Sequence, residues 1–334
     1  MSELRKGYTT GVHACIVFKL ALEAYLCTKQ NSICKTNKMD NDDLDVTKGC
    51  EIVATISSNR DELNLNSIYQ EPQIFTCKEN KISVFAGVGV GVVTKKGLKI
   101  EPNFPAINPV PLNAMREIFE KLITEKENLE LYCSIGITDG ETIAKQSANS
   151  KVGVIGGLSI LGTTGIVKPV SSSAYIDSVE TEINFANQNG YDVLVFTLGN
   201  SSLKYARERY EDEQVIEIGN FVYDSLKIAE SLHVKSVLFI CGIGKMTKVT
   251  QGFKNTHNRF GVIDFELLKQ KIKANLHVEV DTDKTLTVKG IAKQLEELGK
   301  ISDFYKMIRE DANTELKSWF SNAQAIILEE SKEN

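Results

Sequence analysis

The sequence predicts two folded domains, the first of the α+β class and the second an α/β domain with a mostly parallel sheet. Short strand-like runs cluster around two amphipathic helices before residue 170, whereas strands and helices alternate regularly after it. A chain of 334 residues also exceeds the usual size of a single hydrophobic core. We therefore expect one domain over residues 1–170 and a second over residues 171–334.

The elements of the first domain follow from the spacing of its apolar residues. Helical periodicity begins after Thr10, a candidate N-cap, and includes Val17, Leu20, Ala21, Ala24 and Tyr25. A second amphipathic helix is predicted from Met115, Ile118, Phe119, Leu122 and Ile123. Runs that are β-branched or alternate in polarity predict strands over 50–57, 63–68, 73–77, 81–86 and 130–135.

In the second domain, short apolar strands alternate with amphipathic helices. The predicted strands are 192–198, 214–218 and 236–241. The predicted helices are 172–188, 202–210 and 220–232, and mostly helical periodicity continues to Glu330. This alternation is typical of a Rossmann-like parallel sheet.

Composition limits which binding partners and which cellular compartment are expected. A net charge of −5 opposes binding to a phosphate backbone, so nucleic acid is not expected. No run of about eighteen apolar residues is evident, so no membrane span is expected. The seven cysteines are dispersed without a C-x-x-C pair, which argues against a disulfide framework or a metal site and indicates the reducing cytoplasm. The oligomeric state is not predicted.

The stretch "GVIGGLSILGTTGIVKP", residues 153–169, combines five glycines with a threonine pair and a single charge at Lys168. Glycine lets a backbone approach another group closely, and that group is either a bound ligand or another part of the protein. The first interpretation places the stretch in a binding site. The second makes it a tight packing crossover between the domains.

Small and amide residues follow the predicted strands of the second domain. Gly199 and Asn200 follow one strand, Gly219 and Asn220 the next, and Gly242, Gly244 and Lys245 the third. Ligands of parallel sheets bind beyond the carboxyl ends of the strands, and three such turns together favour a ligand site. Each turn alone is typical of ordinary chain reversal. The sequence is not a P-loop, because Phe239 and Met246 occupy positions that a P-loop requires as Gly and as Ser or Thr.

Six stretches together resemble the CbiD family. They are "KGYTTG" (6–11), "DDLDVTKG" (42–49), "GVGVVTKKGL" (89–98), "PAINPVP" (105–111), "IAKQSANSKVGVIGGLSILGTTGIVKPVS" (143–171) and "FKNTHN" (253–258). The resemblance implies methyl transfer from S-adenosylmethionine to ring carbon 1 of cobalt-precorrin-5B, giving cobalt-precorrin-6A, in anaerobic cobalamin biosynthesis. The acceptor it implies is a cobalt-bearing, anionic tetrapyrrole.

The residues of the distinctive stretches and strand ends form the predicted sites, while the catalytic residues stay unassigned. Substrate contacts are expected from Thr9, Thr10, Asn108, Asn149, Lys151, Gly156, Gly157, Ser159, Gly162, Thr163, Thr164, Gly165, Lys168 and His257. Donor contacts are expected from Gly199, Asn200, Gly219, Asn220, Gly242, Gly244 and Lys245. This places the donor on the second domain and the tetrapyrrole in a cleft between the domains. A donor site at Thr9, Thr10 and Asn108 is the alternative.

The chain also departs from the family pattern at several positions. Met39, Asn41 and Leu44 replace an Asp, a Gly and a Pro, Lys48 and Gly242 replace histidines, and Asp264 replaces an arginine. The departures at Lys48 and Gly242 motivate an alternative function, a catalytically impaired tetrapyrrole-binding or carrier protein of the same pathway. A third hypothesis is a nucleotide-dependent enzyme that uses the turn "CGIGK", residues 241–245.

Overall fold

A computed structural model describes residues 4–43, 45–123, 128–167, 172–282 and 287–328. The chain separates into two compact units, unit 1 over Met1–Ser172 and unit 2 over Ser173–Asn334. The described residues form helices and several sheets, and the four-stranded sheet is parallel throughout. The predicted mixed α and β architecture with a parallel sheet is therefore confirmed.

Unit 1 is built on a five-stranded mixed sheet with the strand order β2-β3-β8-β5-β4. Its helices are α1 (Thr10–Thr28), α2 (Pro109–Leu122) and the short α3 (Gly140–Ala144). Its strands are β1 (Gly7–Tyr8), β2 (Ser32–Asn37), β3 (Glu51–Ser57), β4 (Gln73–Cys77), β5 (Asn80–Ala86), β6 (Gly89–Val90), β7 (Val92–Val93), β8 (Glu130–Ile137), β9 (Val154–Ile155), β10 (Gly157–Leu158) and β11 (Ile166–Val167). Within the large sheet β5 and β8 run parallel, and the other neighbours are antiparallel.

Helix α1 begins one residue earlier than the sequence suggested. The side chain of Thr9 accepts a hydrogen bond from the N–H of Val12, so Thr9 is the N-cap and Thr10 is the first helical residue. The helix is 19 residues long and apolar enough to cross a membrane by length and composition, contrary to the expectation that no such run exists. Half of its most apolar window is buried, and it packs with α2 on one face of the large sheet. The apolarity of α1 is thus accounted for by its place in a core.

One strand prediction for unit 1 was wrong, and one of the longer strands, β2, was missed. Residues 63–68 form no strand and contribute only the bridge between Leu65 and Gly87, where the N–H of Asn66 donates to the carbonyl of Ala86 over 3.0 Å. Strand β2 was not predicted. It is an edge strand that exposes Ile33 and pairs on one side with β3, and its mixed polar composition carries little strand signal.

Unit 2 contains a four-stranded sheet with the order β13-β12-β14-β15, in which every pair is parallel. Its strands are β12 (Val193–Leu198), β13 (Val215–Glu217), β14 (Ser236–Gly242) and β15 (Ala323–Leu328). The helices are α4 (Ser172–Gln188), α5 (Asn200–Arg207), α6 (Val222–Ser231), α7 (Ile243–Thr250), α8 (Phe265–Leu276), α9 (Val288–Glu297) and α10 (Ile301–Trp319). Helix α5 packs on one face of this sheet, and α6, α7 and α10 pack on the other.

The prediction of helical structure up to Glu330 was wrong at its end. Residues 323–328 form β15, which pairs with β14 from Val237 opposite Ala323 to Gly242 opposite Leu328. A short apolar run has no periodicity that separates a buried strand from a helix, so the neighbouring strand decided its conformation. Glu330 itself lies outside the described residues.

Candidate functional site

The first turn of α1 holds the end of the glycine-rich stretch in unit 1. The N–H of Thr9 donates to the carbonyl of Gly165 over 3.0 Å, and the N–H of Gly11 donates to that of Leu161 over 2.8 Å. The hydroxyl of Thr10 accepts from the N–H of Leu161 over 2.9 Å. Strand β1 pairs antiparallel with β11 beside these bonds. Two of the motifs that resemble the CbiD family therefore form one structural element.

Most glycines of this stretch are required by contact with protein. A Cβ atom on Gly157 would lie well under 3.0 Å from the backbone of Gly89, and one on Gly156 would meet the side chain of Asn66. A Cβ atom on Gly162 would meet the side chain of Thr9. Of the two interpretations, packing accounts for these glycines, and the packing lies within unit 1 rather than between domains. Their role as ligand contacts stays a prediction.

The other predicted substrate residues fall in several places. Asn149 accepts a hydrogen bond from the hydroxyl of Ser159 over 3.1 Å, and Asn108 precedes α2 without a side-chain capping bond. Thr163 and Thr164 are exposed, and Lys151 and Gly165 are partly exposed. His257 belongs to unit 2, where it is exposed and accepts the N–H of Arg259 through Nδ1. Lys168 lies outside the described residues.

The carboxyl edge of the parallel sheet in unit 2 is open at two neighbouring strands. Gly199 follows β12 and precedes α5, and Gly242 ends β14 and precedes α7. A Cβ atom on Gly199, Gly242 or Gly244 would meet no atom within 4 Å. The chain passes from β12 to β13 on one side and then to β14 on the other, so the strand order reverses between β12 and β14. Ligands of open parallel sheets bind at such a reversal.

Two lysines of α7 project into the loop that follows it. The ammonium group of Lys245 donates to Oδ1 of Asn220 over 2.9 Å and to the carbonyl of Thr256 over 3.1 Å. The ammonium group of Lys248, whose residue is 5% exposed, donates to the carbonyls of Thr256 and Gly261 and to Oδ1 of Asn258. All these acceptors are neutral. Across the described ranges, no carboxylate lies within ion-pair distance of either ammonium group.

The two ammonium groups make this part of unit 2 electropositive. Burial lowers the pKa of Lys245, and the neighbouring charge of Lys248 lowers it further. Burial also lowers the pKa of Lys248. A cation without a counter-ion is costly to desolvate, and an anion that binds beside it recovers part of that cost. The site is therefore suited to a carboxylate or another small anion.

Gly219 and Asn220, predicted as donor contacts, have structural partners. Gly219 has a φ of +55°, and a Cβ atom there would lie 3.0 Å from the ring of Tyr175. The hydroxyl of Tyr175 donates to the carbonyl of Glu217 over 2.9 Å, and burial raises the pKa of Tyr175 to about 12. Asn220 accepts from Lys245 and from the hydroxyl of Thr256. Gly219 thus serves packing against Tyr175, and Asn220 ties the loop to α7.

Sequence reasoning missed three residues of this region. Thr256 bridges both lysines through its carbonyl, although the motif around it drew attention only to His257. Tyr175 covers Gly219, and no local signal predicts that contact. Glu217 is exposed at the carboxyl end of β13. An acidic residue at the end of the second strand of a parallel sheet is a recognisable signal for ribose binding and was available in the sequence.

Three of the departures from the family pattern lie in different surroundings. Lys48 is exposed on a loop of unit 1. Gly242 borders the open space at the end of β14. Asp264 is the N-cap of α8, where its carboxylate accepts the N–H of Leu267 over 2.9 Å. Asp264 therefore has a structural role of its own in this chain.

Comparison with known proteins identifies the family. The CbiD family model matches residues 15–169. A cobalt-precorrin-5B C(1)-methyltransferase of Methanocaldococcus jannaschii is 34% identical over 278 residues, which cover 80% of this chain and 70% of that protein. The protein of the same name from Clostridioides difficile is 31% identical over 309 residues, covering 79% of this chain and 75% of that protein.

A solved structure also matches. It is the 1.9 Å crystal structure of a cobalamin biosynthesis protein (cbiD) from Archaeoglobus fulgidus, with 24% identity, a TM-score of 0.34, and coverage of 71% of this chain and 76% of that one. A TM-score this low carries no argument about the fold, so the assignment depends on the sequence relatives. The resemblance seen in the motifs is confirmed, and the chain belongs to the CbiD family.

Proposed function

We propose that this protein transfers a methyl group from S-adenosylmethionine to ring carbon 1 of cobalt-precorrin-5B, giving cobalt-precorrin-6A in anaerobic cobalamin biosynthesis. The observation that carries the proposal is membership of a family whose relatives, 31 to 36% identical to this chain, are named cobalt-precorrin-5B C(1)-methyltransferases. In this reaction the bond from the methyl carbon to the sulfonium sulfur breaks, and the sulfur keeps its electron pair. The acceptor supplies the electron pair of the new carbon–carbon bond and releases one proton, which leaves a net gain of one CH₂. Alignment of donor and acceptor matters more for such a displacement than a strong base.

The donor site in this proposal is the carboxyl edge of the parallel sheet in unit 2. Open space beside Gly199 and Gly242 supports it, because the backbone there can approach a nucleoside closely. The ammonium group of Lys245, which has no carboxylate partner in the described chain, suits the carboxylate of the donor. The exposed carboxylate of Glu217 suits the ribose hydroxyls.

The proposal also covers the compartment. All seven cysteines are free thiols, which supports a reducing environment and hence the cytoplasm.

Mass spectrometry tests the reaction directly. The full chain is incubated with S-adenosylmethionine and cobalt-precorrin-5B, and the expected result is an acceptor heavier by one CH₂ together with S-adenosylhomocysteine. Binding of the tetrapyrrole without this gain would contradict the enzyme and support the catalytically impaired carrier. Stabilisation of the chain by ATP but not by S-adenosylmethionine would support the nucleotide-dependent alternative.

Isothermal titration with S-adenosylhomocysteine tests the location. We expect Asn200→Ala, at the start of α5, to weaken binding and Thr10→Ala, at the start of α1, to leave it unchanged. The reverse pattern would place the donor on unit 1.

A further inference from the structure

A cleft of about 610 Å³ lies on the large sheet of unit 1, away from α1 and α2. Strand side chains alternate between faces, and Ile82 and Val84 pack into the core with the helices. Ser83, Phe85 and Tyr132 therefore point to the opposite face, where they form the floor of the cleft. Arg60 and the loop 65–72 form its walls. The volume is within the usual range of about 300–1,000 Å³ for a ligand site.

Two polar groups of this cleft have no protein partner. Ser83 is 3% exposed, and its hydroxyl makes no hydrogen bond to any residue that the structure describes. The guanidinium of Arg60 lies 4.8 Å from the centre of the Phe85 ring and has no carboxylate partner within the described chain. The other lining cation, Lys81, is paired with Glu130 over 3.3 Å at the rim. A hydroxyl that keeps access to the cleft and an exposed guanidinium without an ion-pair partner are groups that an anionic or hydrogen-bonding ligand can bind.

The opposite wall of the cleft is rigidly held. Asn66 donates to the carbonyls of Val90 and Gly156 over 2.7 and 2.8 Å, and Gln70 exchanges two hydrogen bonds with the backbone of Ala86. Both side chains are buried, so their positions do not depend on a ligand. A preformed wall reduces the ordering cost of binding. Asn66 also links the cleft to the glycine-rich stretch through Gly156.

We propose that this cleft binds a carboxylate-bearing edge of the flat tetrapyrrole acceptor. Arg60 forms charge-assisted hydrogen bonds to one carboxylate, and the hydroxyl of Ser83 donates a further hydrogen bond. The exposed part of Tyr132 and the stacked pair of Arg60 and Phe85 contact the macrocycle. The identity of the ligand rests on the proposed function, whereas the location rests on the cleft itself.

Binding of uroporphyrin III to the full chain tests this location. That porphyrin is a flat tetrapyrrole with acetate and propionate side chains, and quenching of its fluorescence reports binding. We expect Arg60→Gln to weaken its affinity by about tenfold, as loss of a charge-assisted bond implies. Ser83→Ala is expected to weaken it by about threefold, because only a neutral hydrogen bond is lost.

A matched control separates the cleft from general effects. Arg116 also places its guanidinium over a phenylalanine ring, 5.3 Å from the centre of Phe75, but it does not line the cleft. Arg116→Gln is expected to leave the affinity for uroporphyrin III unchanged. The Tm of each variant checks that the chain still folds.

The outcomes distinguish this inference from the proposed function. Unchanged affinity in folded Arg60→Gln, or an equal loss in Arg116→Gln, would overturn the cleft as the binding site. Methyl transfer by Arg60→Gln with an unchanged KM for the acceptor would also overturn it and leave the proposed function intact. An Arg60-dependent uroporphyrin affinity in a wild-type chain that transfers no methyl group would support the cleft and contradict the function.

Discussion

The glycines of the stretch 153–165 and the glycines at the carboxyl edge of the parallel sheet look alike in the sequence but have opposite surroundings. In unit 1, Cβ atoms on Gly156, Gly157 and Gly162 would collide with protein atoms. In unit 2, Cβ atoms on Gly199 and Gly242 would meet nothing within 4 Å. The dense glycines of unit 1 thus lie in tight packing, and Gly199 and Gly242 lie at the open edge, whereas Gly219 after β13 packs against Tyr175.

The polar groups of the two regions differ in the same way. The first turn of α1 directs its backbone and hydroxyl groups to the glycine-rich stretch, which satisfies both partners. At α7 the acceptors around Lys245 and Lys248 satisfy the hydrogen bonds of the two ammonium groups but leave their charge uncompensated. Our proposal for the donor site therefore depends on the uncompensated charge at α7 and not on glycine content.

The largest expected effect tests whether the glycine-rich stretch of unit 1 requires glycine for its packing. Gly157→Ala should lower the free energy of unfolding by about 2–3 kcal/mol, because its Cβ would overlap the backbone of Gly89. Gly244→Ala, in α7, should leave stability unchanged or raise it by up to about 1 kcal/mol, because the space is open and alanine favours helix. Denaturant unfolding of both variants measures the difference. Equal stabilities would remove the distinction between the two regions.

The second prediction tests the charge at α7. Lys245→Met should weaken binding of S-adenosylhomocysteine by about 10- to 100-fold, because a hydrogen bond to a charged group contributes about 1.5–3 kcal/mol. Lys254→Met is the control, since Lys254 is exposed in the same loop and its ammonium lies 4.2 Å from the centre of the Tyr223 ring. Isothermal titration measures both affinities. A loss of the same size in the control would show that the loop, and not the Lys245 charge, governs binding.

A third, smaller effect follows from the lowered pKa of Lys245. Burial and the charge of Lys248 lower this pKa below the ordinary value of 10.5. Affinity for S-adenosylhomocysteine should therefore decline as the pH rises through the lowered pKa, before pH 10.5 is reached. Titrations across the alkaline range measure the decline, and Lys245→Met should abolish it.

Unfolding of the chain is not the cause of the decline in affinity for S-adenosylhomocysteine at alkaline pH. The unfolded lysine keeps its proton up to its ordinary pKa of 10.5, so between the lowered pKa and 10.5 the unfolded chain binds more protons than the folded one. The contribution of Lys245 to stability therefore rises with pH while donor affinity falls. A decline that persists in Lys245→Met would assign it to another group.

The smallest expected effect concerns Asp264, which is not part of the open carboxyl edge of the parallel sheet. Asp264→Ala removes the N-cap bond to Leu267 and should lower the free energy of unfolding by about 1 kcal/mol. Affinity for S-adenosylhomocysteine should stay at the wild-type value, which titration checks. A large loss of affinity instead would indicate that this departure from the family pattern belongs to the donor site.

Several strands and helices were predicted correctly from the sequence alone. The predicted strands 192–198 and 236–241 correspond to Val193–Leu198 and Ser236–Gly242, and the predicted helix 172–188 corresponds to α4. Such elements depend on residues that are consecutive in the chain, so periodicity alone identifies them. The family could also be recognised from the sequence, because its motifs are contiguous stretches of residues.

The sequence by itself determined the mixed α and β class with a parallel sheet, the family, and the positions of most of the longer strands and helices. The tertiary structure decided which glycines are packed, that residues 323–328 form a strand, and that Thr256 joins both lysines of α7. It also brought Asn66 to Gly156 and formed the cleft with Arg60 and Ser83. These features are contacts between residues far apart in the chain, and no local pattern encodes such contacts because they exist only once the sheets and helices have packed.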